Sequence, residues 1–176
     1  GCRLLKMNKA VVLFHPNDPW TLSRLTHCDE VVCDISKWKV RSLDPVKGVY
    51  SNAIECYVDG DLETVLEEVR NVVSLKKQFP NITGVIHDDL IGLCKRCGLN
   101  AKEYGEVVQT ISQAGLKLWL VFYAHELDEI ETSWRDFKRY ADVVHFWVWK
   151  SQDLYYLDEY MERCRKAFPD IPINLG

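Results

Sequence analysis

The chain reads as an α/β protein built on a parallel (β/α) TIM-type barrel, incomplete or compact, with an open doubly wound sheet as the alternative. Three observations predict it. Short apolar runs alternate with helix-period segments along the whole chain, the pattern of successive βαβ units. No Asn-Gly-type hairpin signal separates the runs, so the strands should be parallel and joined by right-handed crossovers. The seven strand signals recur at roughly 25 residues per unit, which suits a barrel. The 176 residues end where an eighth unit should begin, and complete barrels take at least about 200. The expectation is one domain over residues 1–176, truncated at its C-terminus or unusually compact. Its open edge invites a partner chain, and so a homo-oligomer.

The elements follow in order. Residues 10–14 form a first apolar strand that ends in His15-Pro-Asn-Asp, and a short helix over 20–26 leads to a second strand, 30–35. A charged, irregular link, 37–47, precedes a third strand at 50–58. Leu62, Val65, Leu66, Val69, Val72 and Val73 then keep the three-four spacing of an amphipathic helix, opened by Gly60 or Asp61 and stopped by Pro80. The fourth strand is 82–87. After a loop holding Cys94 and Cys97, Asn100 caps a helix that Gly115 closes. The fifth strand, 116–124, is apolar nearly throughout, as suits a strand covered on both faces. A helix over 129–140, a sixth strand at 143–149, a helix over 154–168 and a seventh strand from 171 to 175 complete the chain.

Composition narrows the function. The formal charge of -4 and pI near 5.7 argue against a nucleic-acid or anionic-membrane surface. No apolar run approaches the roughly 20 residues of a membrane span, and Gly1-Cys-Arg-Leu-Leu-Lys-Met7 lacks the apolar core of a signal peptide. Seven cysteines is an odd count, and Cys33, Cys56 and Cys164 fall in apolar patterns, so a reducing compartment such as the cytoplasm is favoured over a disulfide framework. Neither Gly-x-Gly-x-x-Gly nor Gly-x-x-x-x-Gly-Lys occurs, so no nucleotide cofactor is expected. Cys94-Lys-Arg-Cys97 lacks the second pair that structural zinc usually needs.

Polar residues collect where the predicted strands end: His15, Asp34, His87, Asp88, Asp89, His125, Glu126 and Lys150. In parallel α/β sheets the carboxyl ends of strands carry binding and chemistry. His87-Asp88-Asp89 stands out, because two carboxylates and an imidazole are costly to bury unpaired. Neighbours on extended backbone point opposite ways. Either one aspartate faces the mouth while the other braces a loop, or a kink presents both. Close carboxylates in a partly desolvated mouth acquire different pKa values, and so different roles as acid and as stabiliser. Glu126 supplies a third carboxylate one strand over. Trp149, and Trp20 after the first strand, are candidate platforms for a sugar ring, whereas Trp119 and Trp147 read as core.

Gly84-Val-Ile-His-Asp-Asp89 resembles the end of the fourth strand in barrel glycoside hydrolases, and is most similar to the acidic pair of N-acetylhexosaminidase-type enzymes. The resemblance implies that one aspartate protonates the leaving group while the other orients the acetamido group of the substrate, which serves as nucleophile. A second barrel pattern would use Asp88 or Asp89 as nucleophile and Glu126 as acid. The pattern with a carboxylate after the seventh strand is not met, since Asn174-Leu-Gly176 occupies that place. Asp88, Asp89 and Glu126 are thus the candidate catalytic residues of a hydrolase, and His15, Asp34, His87, His125, Trp149 and Lys150 the candidate substrate contacts. The expected ligand is a small molecule or oligosaccharide, with no cofactor. Two other readings stay open: a metal-dependent hydrolase with histidine and aspartate ligands at the mouth, and a non-catalytic saccharide-binding barrel.

Overall fold

The computed structural model describes residues 6–13, 16–36, 39–40, 57–58 and 61–176. Among them, six strands form one parallel sheet: β1 (Lys9–Val12), β2 (Glu30–Asp34), β5 (Ile82–His87), β6 (Lys117–Tyr123), β7 (Val143–Trp147) and β8 (Ile173–Leu175). They lie side by side in chain order. That order never reverses, so the sheet has no switch point of the doubly wound kind. It is a curled half-barrel, an incomplete barrel of the TIM type.

The packing agrees. Right-handed crossovers that all advance one way set their helices on a single face. Helix α2 (Leu62–Lys76) contributes Val65, Leu66, Val69 and Val72 to the large core, α4 (Ala101–Gln113) contributes Tyr104, Val107 and Ile111, and α6 (Leu157–Ala167) contributes Cys164 and Ala167. Burying each large aliphatic side chain is worth roughly 1.5–3 kcal/mol. A second, smaller cluster holds only residues of strands and strand ends: Val32, Ile86 and Val121, with Leu13, Trp119, Tyr123 and Trp147 against it. It marks the concave face of the sheet.

Local signals explain most helix ends. Asp61 caps α2 through Thr64 N–H at 2.9 Å. Asn100 and Glu103 make a reciprocal capping box on α4, and Gly115 takes the left-handed conformation two residues after that helix ends, with φ of 64°. Asp18 caps the five-residue helix α1 (Pro19–Ser23).

Three expectations are corrected. The third strand does not enter the main sheet: β4 (Tyr57–Val58) pairs antiparallel with β3 (Lys39–Val40), and β2 pairs directly with β5. The rest of residues 50–58 lies outside the described residues, as do Phe14 and His15. The loop expected to carry Cys94 and Cys97 is helix α3 (Leu90–Cys97), ended by Gly98 at φ of 65°. The helix expected over 129–140 is broken. Helix α5 (Leu127–Glu131) stops at Thr132, whose hydroxyl donates back to the Asp128 carbonyl, and a 3-10 turn, Arg135–Tyr140, follows. Side-chain competition of that kind loosens a helix end.

Candidate active site

The site grows from the last residues of β5. Val85 packs toward the helices and Ile86 toward the concave face, so continued alternation sends His87 back to the helices and Asp88 to the concave side. The contacts follow this. His87 is buried, with Nδ1 2.7 Å from the Tyr104 hydroxyl on α4, and burial holds its imidazole down to about 3. The carboxylate of Asp88 instead accepts a hydrogen bond from the Tyr123 hydroxyl, at the end of β6, at 2.7 Å.

Asp88 is 7% exposed. Burial is the main cause pushing its carboxyl above the usual carboxylate range. The Tyr123 hydroxyl opposes that rise, and the nearby charge of Asp34 adds to it. Asp34, buried at the end of β2, accepts at Oδ1 from the Ser36 N–H at 2.8 Å, and Ser36 Oγ in turn accepts from the Asp88 N–H. Asn17 fastens the same corner, donating to the Asp34 carbonyl and to Glu68 of α2, both at 2.7 Å. Asp34 and Asp88, at the ends of adjacent strands, are thereby linked through Ser36.

Asp89 leaves that surface. It sits at the N-cap of α3 with φ of 53° and makes an ion pair with Arg96 at 3.0 Å. Glu126 lies in the 3-10 turn after β6, where Oε2 accepts from the Tyr123 N–H at 2.9 Å. It is 7% exposed, and burial pushes it from 4.5 up to about 7.

Rings surround Tyr123. It meets Trp147 edge-on at 5.7 Å, Trp149 edge-on at 6.2 Å and His125 in a tilted contact at 5.4 Å. Trp149 is 72% exposed and Lys150 is exposed beside it. Trp119 and Trp147 are half-buried on the concave face, each edge-on to His145. Trp20 stands out at 68% exposed, with the Arg24 guanidinium over its ring.

Of the residues the sequence singles out, the structure brings Asp34, Asp88, Glu126, His125 and Trp149 to the carboxyl edge around Tyr123. It turns His87 to the opposite face and Asp89 toward Arg96, while His15 lies outside the described residues. Among the described residues, no three His, Cys, Asp or Glu side chains converge as a metal-binding group, and no helix is long and apolar enough to cross a membrane. Cys94 is buried on α3, its thiol pushed up to about 12 by burial, while Cys97 is exposed. Cys28, Cys33 and Cys164 are also buried. Tyr123 was missed because it closes an apolar run and so resembles core. Its shared parity with Trp119 and Val121 was the available signal.

No protein-family model and no curated protein matches this chain. Among solved structures it is similar to catalytic domain 2 of the Group II chitinase of Ostrinia furnacalis, at 13% identity and a TM-score of 0.47, over 79% of this chain and 42% of that one. It therefore spans less than half the length of that domain. It is also similar to tryptophan synthase of M. tuberculosis, at 15% identity and a TM-score of 0.45, over 96% and 72% of the two chains. A third likeness is to tryptophan synthase subunit alpha of Legionella pneumophila, at 13% identity and a TM-score of 0.41, over 99% and 74%.

Proposed function

We propose that this is a carbohydrate-active half-barrel that hydrolyses a glycosidic bond at the carboxyl edge of its sheet, with Asp88 donating the proton to the leaving group. One observation carries the reading: a buried carboxyl, raised above its usual range, sits on a concave surface walled by aromatic rings. A glycosidic oxygen departs as an alcohol only if an acid protonates it, and a carboxyl that keeps its proton above the usual carboxylate range is suited to do so. Tyr123, Trp147 and the exposed Trp149 offer ring surface to the apolar face of a sugar. Asp34 stabilises positive charge developing on the sugar ring, and Glu126 is a further acidic participant at the same edge. Asp89, occupied by Arg96, braces the start of α3. The ligand is an oligosaccharide, and nucleic acid and membrane surfaces are not partners.

Turnover of an aryl N-acetylhexosaminide tests the reading. Asp88→Asn should lose about 10²–10⁴ in kcat while oligosaccharide still quenches tryptophan fluorescence. Asp89→Asn should stay within a few-fold of the parent. Full activity in Asp88→Asn would sink the proposal, and sugar binding without turnover by the parent would make this a binding barrel.

A further inference from the structure

We infer that Tyr123 is the positioning residue of this site, holding the Asp88 carboxyl in place through its hydroxyl while Glu126 and the aromatic wall hold Tyr123 itself. The inference rests on the functional reading above for its catalytic meaning, but its structural content stands separately. Tyr123 is restrained at both ends. Its N–H donates to Glu126 Oε2 at 2.9 Å and its hydroxyl donates to Asp88 Oδ1 at 2.7 Å. Between these bonds, its ring is in contact with Trp147, Trp149 and His125. A side chain fixed by a strand, a turn and three rings has little rotamer freedom to give up, so its hydroxyl stays aimed at the acid.

Chemistry supports the assignment. The hydroxyl favours the ionised form of Asp88, whereas burial and the Asp34 charge favour the protonated form. Tyr123 thereby limits how far the acid is raised and fixes which oxygen is engaged. Oδ1 is the oxygen bound to the phenol, and the Asp89 N–H bonds the same carboxyl. The titratable groups acting on Asp88 and Tyr123 among the described residues are Asp34 from β2, Asp89 from the next position, and His125 and Glu126 from the turn after β6. The phenol keeps its proton well above the ordinary tyrosine range, chiefly through burial and then through its bond to Asp88, so it acts as a donor and not as a base.

Tyr123→Phe removes only the hydroxyl and keeps the ring contacts. With aspartate labelled at the carboxyl carbon, NMR titration of the variant should show Asp88 ionising at higher pH than in the parent. Turnover of the aryl N-acetylhexosaminide should fall about tenfold in kcat, with KM little changed and the limb of the pH profile set by Asp88 moved the same way. An unmoved Asp88 titration overturns the inference whether or not the protein is a hydrolase. A moved titration in a protein without turnover upholds Tyr123 and removes the glycosidase reading. Should Tyr123→Phe fail to fold, Asp88→Asn reads the bond from the other side. The Tyr123 ring carbon should then titrate closer to the ordinary tyrosine range, and an unchanged phenol would overturn the inference.

Discussion

His87 and Asp88 are adjacent in the chain, yet they inhabit different environments. On the helix-covered face, His87 is sealed among apolar side chains and answered by one hydroxyl, that of Tyr104. On the concave face, Asp88 is buried nearly as well but meets Tyr123, Ser36 and the charge of Asp34. Burial alone therefore does not mark a functional group. The helix face uses its polar pair to satisfy a core, whereas the concave face gathers several ionisable groups that oppose one another. The latter arrangement stores reactivity.

The sharpest way to break the contrast is to damage the helix face. Phe122, 1% exposed and stacked on Phe168 at 5.2 Å, is central there. Phe122→Ala should cost about 3–5 kcal/mol in urea unfolding, whereas Asp88→Asn, which relieves a carboxyl raised by burial, should cost none at neutral pH.

Acidity separates the faces next. Unfolded His87 takes up a proton near 6.5, and the folded form only near 3, so its contribution to stability falls as pH drops through that window. Glu126 runs the other way. Folded, it keeps its proton up to about 7, and unfolded only to 4.5, so stability falls as pH rises between those values. Glu126→Gln should therefore gain on the parent by about 3 kcal/mol from pH 4.5 to 7. A difference that stays flat across urea titrations at those pH values would contradict the burial argument.

The smallest effect belongs at the rim. Arg96 and Asp89 are partly exposed, with side chains 30% and 33% accessible, so Arg96→Ala should cost under about 1 kcal/mol in urea unfolding. A larger loss would mean that this pair does more than brace the start of α3.

Much of the architecture was legible in the chain. The run 82–87 matches β5 residue for residue, and the apolar spacing of α2 together with Asn100 and Gly115 marked two helices almost to their ends. What escaped depends on tertiary partners. Residues 90–97 are a short stretch containing two cysteines, and their helix is made by packing Leu90, Ile91 and Leu93 into the core. Nothing in residues 57–58 says whether they join a parallel sheet or pair with a two-residue strand beside it. At the site, the acids were visible by type, but which of them share a surface is a matter of pleat and register. Tyr123 was hidden for the same reason.

That register turns on an irregularity between β2 and β5. Val31 is opposite Ile82, but the next residue, Val32, is opposite Gly84, so β5 carries one residue more than its neighbour there. Thr83, whose hydroxyl bonds Glu30, and Gly84, whose missing side chain leaves room for Trp119 and the Lys117 carbonyl, both fall on the concave side. Without that additional residue the remainder of the strand would be rotated half a step. The imidazole would then emerge among the rings, and the carboxyl would be driven into grease. The chemical identity of the cleft is thus decided several residues upstream, by a miscount between two neighbouring strands.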